Sequence, residues 1–259
     1  MNIDLTGKHA VVCGSTQGIG KASALAMSKL GASITLIARD EKKLKDVLKE
    51  LTPNPKNDYI VADFSNPNDL ERKIKKWASE NSADILLNNT GGPKGGPIRN
   101  AKISEFLDAF TKHLICNHIL AQTLYPNMKN LEYGRIINII STSVKQPLDG
   151  LGVSNTVRGA VANWSKTLAN ELGQFNITVN NILPGATNTI RLQSIAENRA
   201  INSVLNAEDI LANMAAQSPM KRIAEPEEIA NAVCFLASPA ASYINGVNLP
   251  VDGGRTKSL

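Results

Sequence analysis

Short apolar, β-rich runs alternate with amphipathic segments from one end of the chain to the other. The candidate strands are HAVVCG (9–14), SITLIA (33–38), YIVAD (59–63), DILLNN (84–89), RIINII (135–140), TVNNILP (178–184) and VNLPVD (247–252). Between them, ALAMSKLG, DEKKLKDVLKEL, NDLERKIKKWASE and EEIANAVCFLAS carry apolar residues at three-and-four spacing, the mark of helices with one buried face. Strands that are apolar almost throughout, separated by helices, predict a parallel sheet covered on both sides. No repeat, low-complexity tract or linker-like gap interrupts the alternation. The expected architecture is therefore α/β: one Rossmann-type, doubly wound domain over 1–259, with a seven-stranded parallel sheet and helices on both faces. The least regular stretch is 186–218, between the sixth strand and the helix that begins near Pro226. An insert of this kind reads as a lid over a ligand site.

Composition narrows the function classes. Of 259 residues 42% are apolar and 20% charged, which suits a packed core. Aromatic residues at 4% argue against a base-stacking platform, so no nucleic acid partner is expected. The formal charge is +5, with lysines concentrated at 42–49 and 72–76 on stretches that read as solvated helix faces. Read instead as a polyanion patch, such a surface would suit a bulky anionic substrate carrier. Cys13, Cys116 and Cys234 are far apart and flanked by apolar residues, consistent with reduced core thiols. No zinc spacing occurs, and no metal is expected. MNIDLTGKHA has no apolar leader region, and no run approaches the ~18 apolar residues of a membrane helix. The expectation is a cytoplasmic protein without membrane contact.

The strongest chemical signal is VVCGSTQGIGKA. Gly14, Gly18 and Gly20 follow the first strand and open a helix, with Ser15, Gln17 and Ile19 in the same loop. Glycines there let the backbone approach a pyrophosphate, and the helix N-terminus offers free N–H groups. At the end of the second strand an NAD site requires a carboxylate for the ribose 2′-hydroxyl, but SITLIARD places Ala38 and then Arg39. Arginine matches a 2′-phosphate through paired, charge-assisted contacts. NADP(H) is therefore favoured. NAD(H) stays possible through Asp40 if the strand ends later.

GSTQGIG, NNTGG after strand four and NILPG after strand six together resemble the short-chain dehydrogenase/reductase family. The tail KRIAEPEEIANAVCFLASPAASYINGVNLPVDGG is similar to its 3-oxoacyl-[acyl-carrier-protein] reductase-like branch. The resemblance implies a bound NAD(P)(H), a small-molecule or acyl-carrier-linked substrate and a homotetramer or homodimer. It places Asp63 and Phe64 at the adenine ring and Asn89, Thr90 and Gly91 beside the cofactor. Pro184 and Gly185 would flank the nicotinamide, Thr189 would hold its carboxamide, and Asp252, Gly253 and Gly254 would form a mainly structural turn.

Family members reduce carbonyls with a serine, a tyrosine, a lysine and an asparagine. On the same frame Ser141 takes the serine position, Ser154 that of the tyrosine, Arg158 that of the lysine and His113 that of the asparagine. The i, i+4 spacing sets Ser154 and Arg158 on one helix face. Arginine can hold the ribose and place positive charge beside a developing oxyanion, but it is a poor proton source. Simple ketone reduction should then be slow, while conjugate reduction of an enone needs only stabilisation of charge on oxygen. The bland alternative makes Arg158 a structural residue paired with a carboxylate. His113 reads either as a proton relay near neutral pH or as a packing residue. Lys145 in STSVKQP and Lys94 in GGPKGGP are candidate anchors for an anionic group, or solvated loop lysines. Two functions remain: an oxidoreductase with an altered active site, and a catalytically degenerate NADP(H)-binding sensor or scaffold. A second ligand-sized void beside the nicotinamide favours the enzyme.

Overall fold

The computed structural model describes residues 1–201 and 203–258. The strands are β1 (His9–Cys13), β2 (Ser33–Ala38), β3 (Asp58–Val61), β4 (Ile85–Asn88), β5 (Gly134–Ile139), β6 (Ile177–Pro184) and β7 (Asn248–Val251). They form one parallel sheet in the order β3-β2-β1-β4-β5-β6-β7. The expected strands match within three residues at each end.

Alternation along β1 divides two layers of core. Ala10 and Val12 face one cluster, and Val11 and Cys13 the other. The first layer is closed by α1 (Gly18–Lys29), α2 (Glu41–Glu50) and α9 (Pro226–Ala237), through Met27, Leu44 and Val233. The second is closed by α3 (Pro67–Ala78), α5 (Cys116–Asn130) and α6 (Gly152–Leu172), through Ile74, Leu120 and Leu172. All three cysteines are free and buried, as their apolar neighbours suggest. The lysine-rich helices are laced by pairs such as Lys45–Glu41, Lys73–Asp69 and Lys75–Glu71, so their charge is locally matched. Among the described residues no helix is long and apolar enough to cross a membrane.

Two stretches differ from the sequence pattern. Segment 186–218 is largely helical, carrying α7 (Ile190–Ala200) and α8 (Ala207–Ala216). Its pattern is weak because Ile190, Ile201 and Val204 are exposed instead of packed on the sheet. Between α4 (Ile103–Phe110) and α5 the chain widens into a π-turn at Thr111–Ile115, a feature with no sequence signature and frequent at functional sites.

A row of asparagines crosses the sheet. Asn88, Asn138, Asn181 and Asn248 stand opposite one another on β4 to β7. Asn138 accepts from Asn88 Nδ2 (2.8 Å) and donates to Asn181 Oδ1 (3.0 Å) and Ser165 Oγ (2.9 Å), and Asn181 donates to Asn248 Oδ1 (2.8 Å). Ser165 belongs to α6 and also donates to Asn181 Oδ1 (2.8 Å), so the row pins that helix to the sheet.

Candidate functional site

Strand order reverses between β1 and β4, and the crevice at the C-terminal ends of a doubly wound sheet is where ligands bind. A cleft of about 910 Å³ opens there, bounded by the glycine loop, the ends of β2, β4, β5 and β6, and α7. In the loop Gly14 has a φ of +58°, and a Cβ on Gly20 would lie 2.2 Å from the Gly14 carbonyl oxygen. Asn89 Nδ2 lies 3.3 Å from the carbonyls of both Cys13 and Gly14, and fastens the loop to β4. Gln17 caps α1 with no side-chain bond and the first turn holds no acidic residue, so the N–H groups there stay open to an anion. The fit to a dinucleotide phosphate is thus built into the backbone. Gly20→Ala is expected to abolish dinucleotide binding, because its Cβ strikes backbone; calorimetry with NADPH checks this, and wild-type affinity would refute it.

At the far end of the cleft, Arg39 is exposed just beyond β2. The Asp40 carboxylate accepts from Lys43 N (3.1 Å) as the cap of α2. Asp63 and Phe64 line the same end, with the Asp63 carboxyl held below its usual range by the Ser65 N–H.

Most expected residues converge on the cleft. Gln17, Gly18, Ile19, Thr90, Gly91, Pro184, Gly185, Ser141, Ser154 and Arg158 all line it. Ser15 does not: it is fully buried and its hydroxyl turns to the Ile37 carbonyl (3.3 Å), while its neighbour Thr16 faces the cleft. Thr189 lines the cleft, but its hydroxyl accepts from Leu192 N (3.2 Å) as the cap of α7 and donates to the Thr187 carbonyl (3.2 Å). Gly253 accepts from Ser218 Oγ (2.9 Å), in keeping with a structural turn. Lys94 and Lys145 are not among the residues that line the cleft.

Among the described residues Arg158 has no carboxylate partner. It is 8% exposed, Nη1 donates to the Ile139 carbonyl (2.7 Å), and Nε has no hydrogen-bond partner. Burial first, and then the charge of Arg191, push its pKa down to about 10, so it remains a cation at neutral pH. Ser141 Oγ accepts from Ser143 N (3.1 Å), which leaves its proton free to be donated.

His113 sits behind the cleft wall, in the π-turn. It is 2% exposed, and burial, opposed by a backbone hydrogen bond with Gly91, holds its pKa well below 6.5. It supports the Gly91 segment as a neutral ring, and a relay that charges near neutral pH does not suit it. Below pH ~6.5 the unfolded chain takes up a proton here that the folded chain refuses, so stability falls as pH drops. His113→Asn should flatten the urea midpoint between about pH 7 and pH 5; an unchanged pH slope would refute this.

Three cleft arginines escaped the sequence reading: Arg191, Arg199 and Arg255. Arg191 and Arg199 lie two turns apart on α7, within the segment read as a lid, and that spacing is the only local signal for them. Arg191 Nη2 donates to the Pro93 carbonyl across the cleft.

Over residues 14–256 the chain matches the family described as Enoyl-(Acyl carrier protein) reductase. It is 31% identical to the NADPH-dependent reductase BacG of Bacillus subtilis (strain 168), over 97% of this chain and 99% of that protein. It is 32% identical to the 3-oxoacyl-[acyl-carrier-protein] reductase FabG of Vibrio cholerae, over 97% and 98%. The L-sorbose reductase of Gluconobacter frateurii, solved with NADPH and L-sorbose, superposes with a TM-score of 0.91 at 32% identity, covering 100% of both chains. With the sheet order, the glycine cradle and these full-length relatives in agreement, the chain belongs to the short-chain dehydrogenase/reductase family.

Proposed function

We propose that this protein is an NADP(H)-dependent oxidoreductase that reduces a conjugated enone or a carbonyl, with Ser141, Ser154 and Arg158 in place of the family's proton-donating machinery. The observation that carries the reading is the extent of the cleft. It is one space of about 910 Å³ whose lining runs from the glycine loop past these three residues to Leu148, Ile195 and Met214. That space weighs for an enzyme over a sensor or scaffold.

The Gly14–Gly20 loop and Arg39 would hold the dinucleotide, which when bound would supply the hydride chemistry. The chain's own residues act on the substrate oxygen. Ser141 donates its free proton to it, and Arg158 places a fixed positive charge beside it in a water-poor wall. Ser154 lies one turn before Arg158 and makes no hydrogen bond within the described residues, so its hydroxyl can donate as well. None of these groups releases a proton readily near neutral pH. An enone suits them better than a ketone, since it asks for charge stabilisation first and a proton later, from water. The α7–α8 segment acts as the lid, tied across the opening by Arg191 to Pro93 and by Arg199 Nη2 to the Asp149 carbonyl (3.5 Å).

The test is NADPH oxidation against matched ketones, quinones and enones. Enones should turn over fastest; ketones equal to enones would overturn the preference, and failure to bind any dinucleotide would overturn the whole reading. Arg39→Ala should weaken NADPH by about 10- to 100-fold, the worth of one charged contact, and leave NADH nearly unchanged. Equal losses for both, by calorimetry, would remove Arg39 from the 2′-phosphate.

A further inference from the structure

Cations crowd the substrate end of the cleft without matching acids. Arg158, Arg191, Arg199 and Arg255 all line it, and among the described residues none forms an ion pair. The lysine-rich helices show the contrast, since their charges are matched turn by turn.

Three segments bring these arginines together. Arg158 comes from α6, Arg191 and Arg199 from α7, and Arg255 from the C-terminal tail beyond β7. The tail is anchored beside the loop that follows β5 by the bond from Lys257 N to Gln146 Oε1 (3.3 Å). Arg255 Nη2 donates to Gln217 Oε1 (2.7 Å), and Arg199 donates to a backbone carbonyl of Asp149, not to its carboxylate. Asp252 opposes the effect of Arg199 on Arg255, but it forms no ion pair with it among the described residues, and its carboxylate is engaged by the backbone N–H groups of Gly254 (2.9 Å) and Thr256 (2.8 Å). Both Arg255 and Arg158 feel a neighbouring arginine that lowers their pKa, Arg199 for the first and Arg191 for the second, secondary to burial. Like charges gathered around a cavity destabilise the empty fold and are relieved by an anion. Arg158, more than nine-tenths buried with Nε unpartnered, forms the inner end of this array.

We infer that the substrate carries a carboxylate, which Arg199 and Arg255 hold at the outer end of the cleft while Arg158 polarises the reacting oxygen at the inner end. This rests on the reading of the cleft as a substrate site. It deepens that reading to a compact acidic enone, whose two oxygen functions meet two separate groups of arginines. The outer pair belongs to α7 and the C-terminal tail, not to the glycine loop, so it can be changed without altering the loop's backbone. Arg191, tied to Pro93 next to the cofactor-facing Gly91 and Gly92, is shared between the two ends.

The experiment compares trans-4-oxo-2-pentenoate with its methyl ester. Each is titrated by calorimetry, at fixed ionic strength, into the protein saturated with NADP+. The acid should bind at least about ten-fold tighter than the ester, and an Arg199→Gln, Arg255→Gln double variant should erase that advantage while changing NADP+ affinity by less than about two-fold. Equal binding of acid and ester, or an advantage that survives in the double variant, overturns the carboxylate site. Turnover with NADPH is scored separately. Tight, arginine-dependent binding of an acid that is never reduced upholds the anion site and counts against the oxidoreductase reading. Equal reduction of acid and ester does the opposite.

Discussion

Arg158→Met lowers kcat/KM of NADPH-dependent reduction by about 100-fold or more, most of it in kcat. One preorganised donor facing a developing oxyanion is worth roughly 2.7–4 kcal/mol, and this donor is charged and buried. Methionine keeps the volume of the side chain's stem, so α6 should stay where it is. The fold should not suffer. Burial already holds the guanidinium down to about 10, which means that the folded chain disfavours this charge, and its removal should leave the thermal midpoint unchanged or raised. A structural arginine predicts the reverse: a lower midpoint and intact turnover. Single-turnover NADPH oxidation with the preferred substrate, beside thermal unfolding, separates the two. Added guanidinium ion should restore part of the lost rate in the variant, because the cavity left at the cleft wall admits it. Unchanged turnover in Arg158→Met would remove the residue from the chemistry.

The largest expected loss of stability lies away from the cleft wall, at Asn138. Its side chain bonds to Asn88, Asn181 and Ser165 at once and is fully buried. Asn138→Ala leaves the Asn88 amide without its acceptor and Ser165 Oγ without a donor, while Asn181 Oδ1 keeps only Ser165, all at buried positions. Buried unmet groups cost about 1–3 kcal/mol apiece, and networks of this kind lose more than the sum of pairs. A loss of about 3–5 kcal/mol is expected in urea unfolding. Because Ser165 ties α6 to the sheet, the same variant should also lower kcat, through the position of Ser154 and Arg158 two turns or more up that helix. A loss below about 1 kcal/mol, or full activity, would mean that the row is dispensable.

Local rules explain what could be read in advance. Apolar strands of five or six residues, buried on both faces, declare themselves because every position must avoid water; β1 and β5 are buried throughout, and their runs were visible. The glycine loop was legible because a backbone that turns at +58° and passes within contact of another carbonyl excludes a side chain at defined positions. Arg39 was legible because a strand end carries one chemically distinctive neighbour. Other features had no local signature. Helices α7 and α8 were obscured because their apolar residues are not turned toward the sheet. Ser15 and Thr16 are adjacent in sequence, and only the turn decides which one faces the cleft. His113 read either as a relay or as a packing residue until its burial in a π-turn was known.

The sequence by itself therefore determined the sheet, its two helical layers and the glycine turn after β1, and it set Ser154 and Arg158 one turn apart on a helix. Each of these follows from periodicity or from the steric needs of a few consecutive residues. Only the tertiary structure decided what Arg158 faces. It set Arg158 on the Ile139 carbonyl with no carboxylate partner among the described residues, against the alternative of a structural ion pair. It also gathered Arg199 and Arg255 to the same cleft, and aligned four asparagines drawn from 88, 138, 181 and 248. Those meetings depend on strand order and crossover geometry, which set distances between residues far apart in the chain and leave no trace in any local pattern.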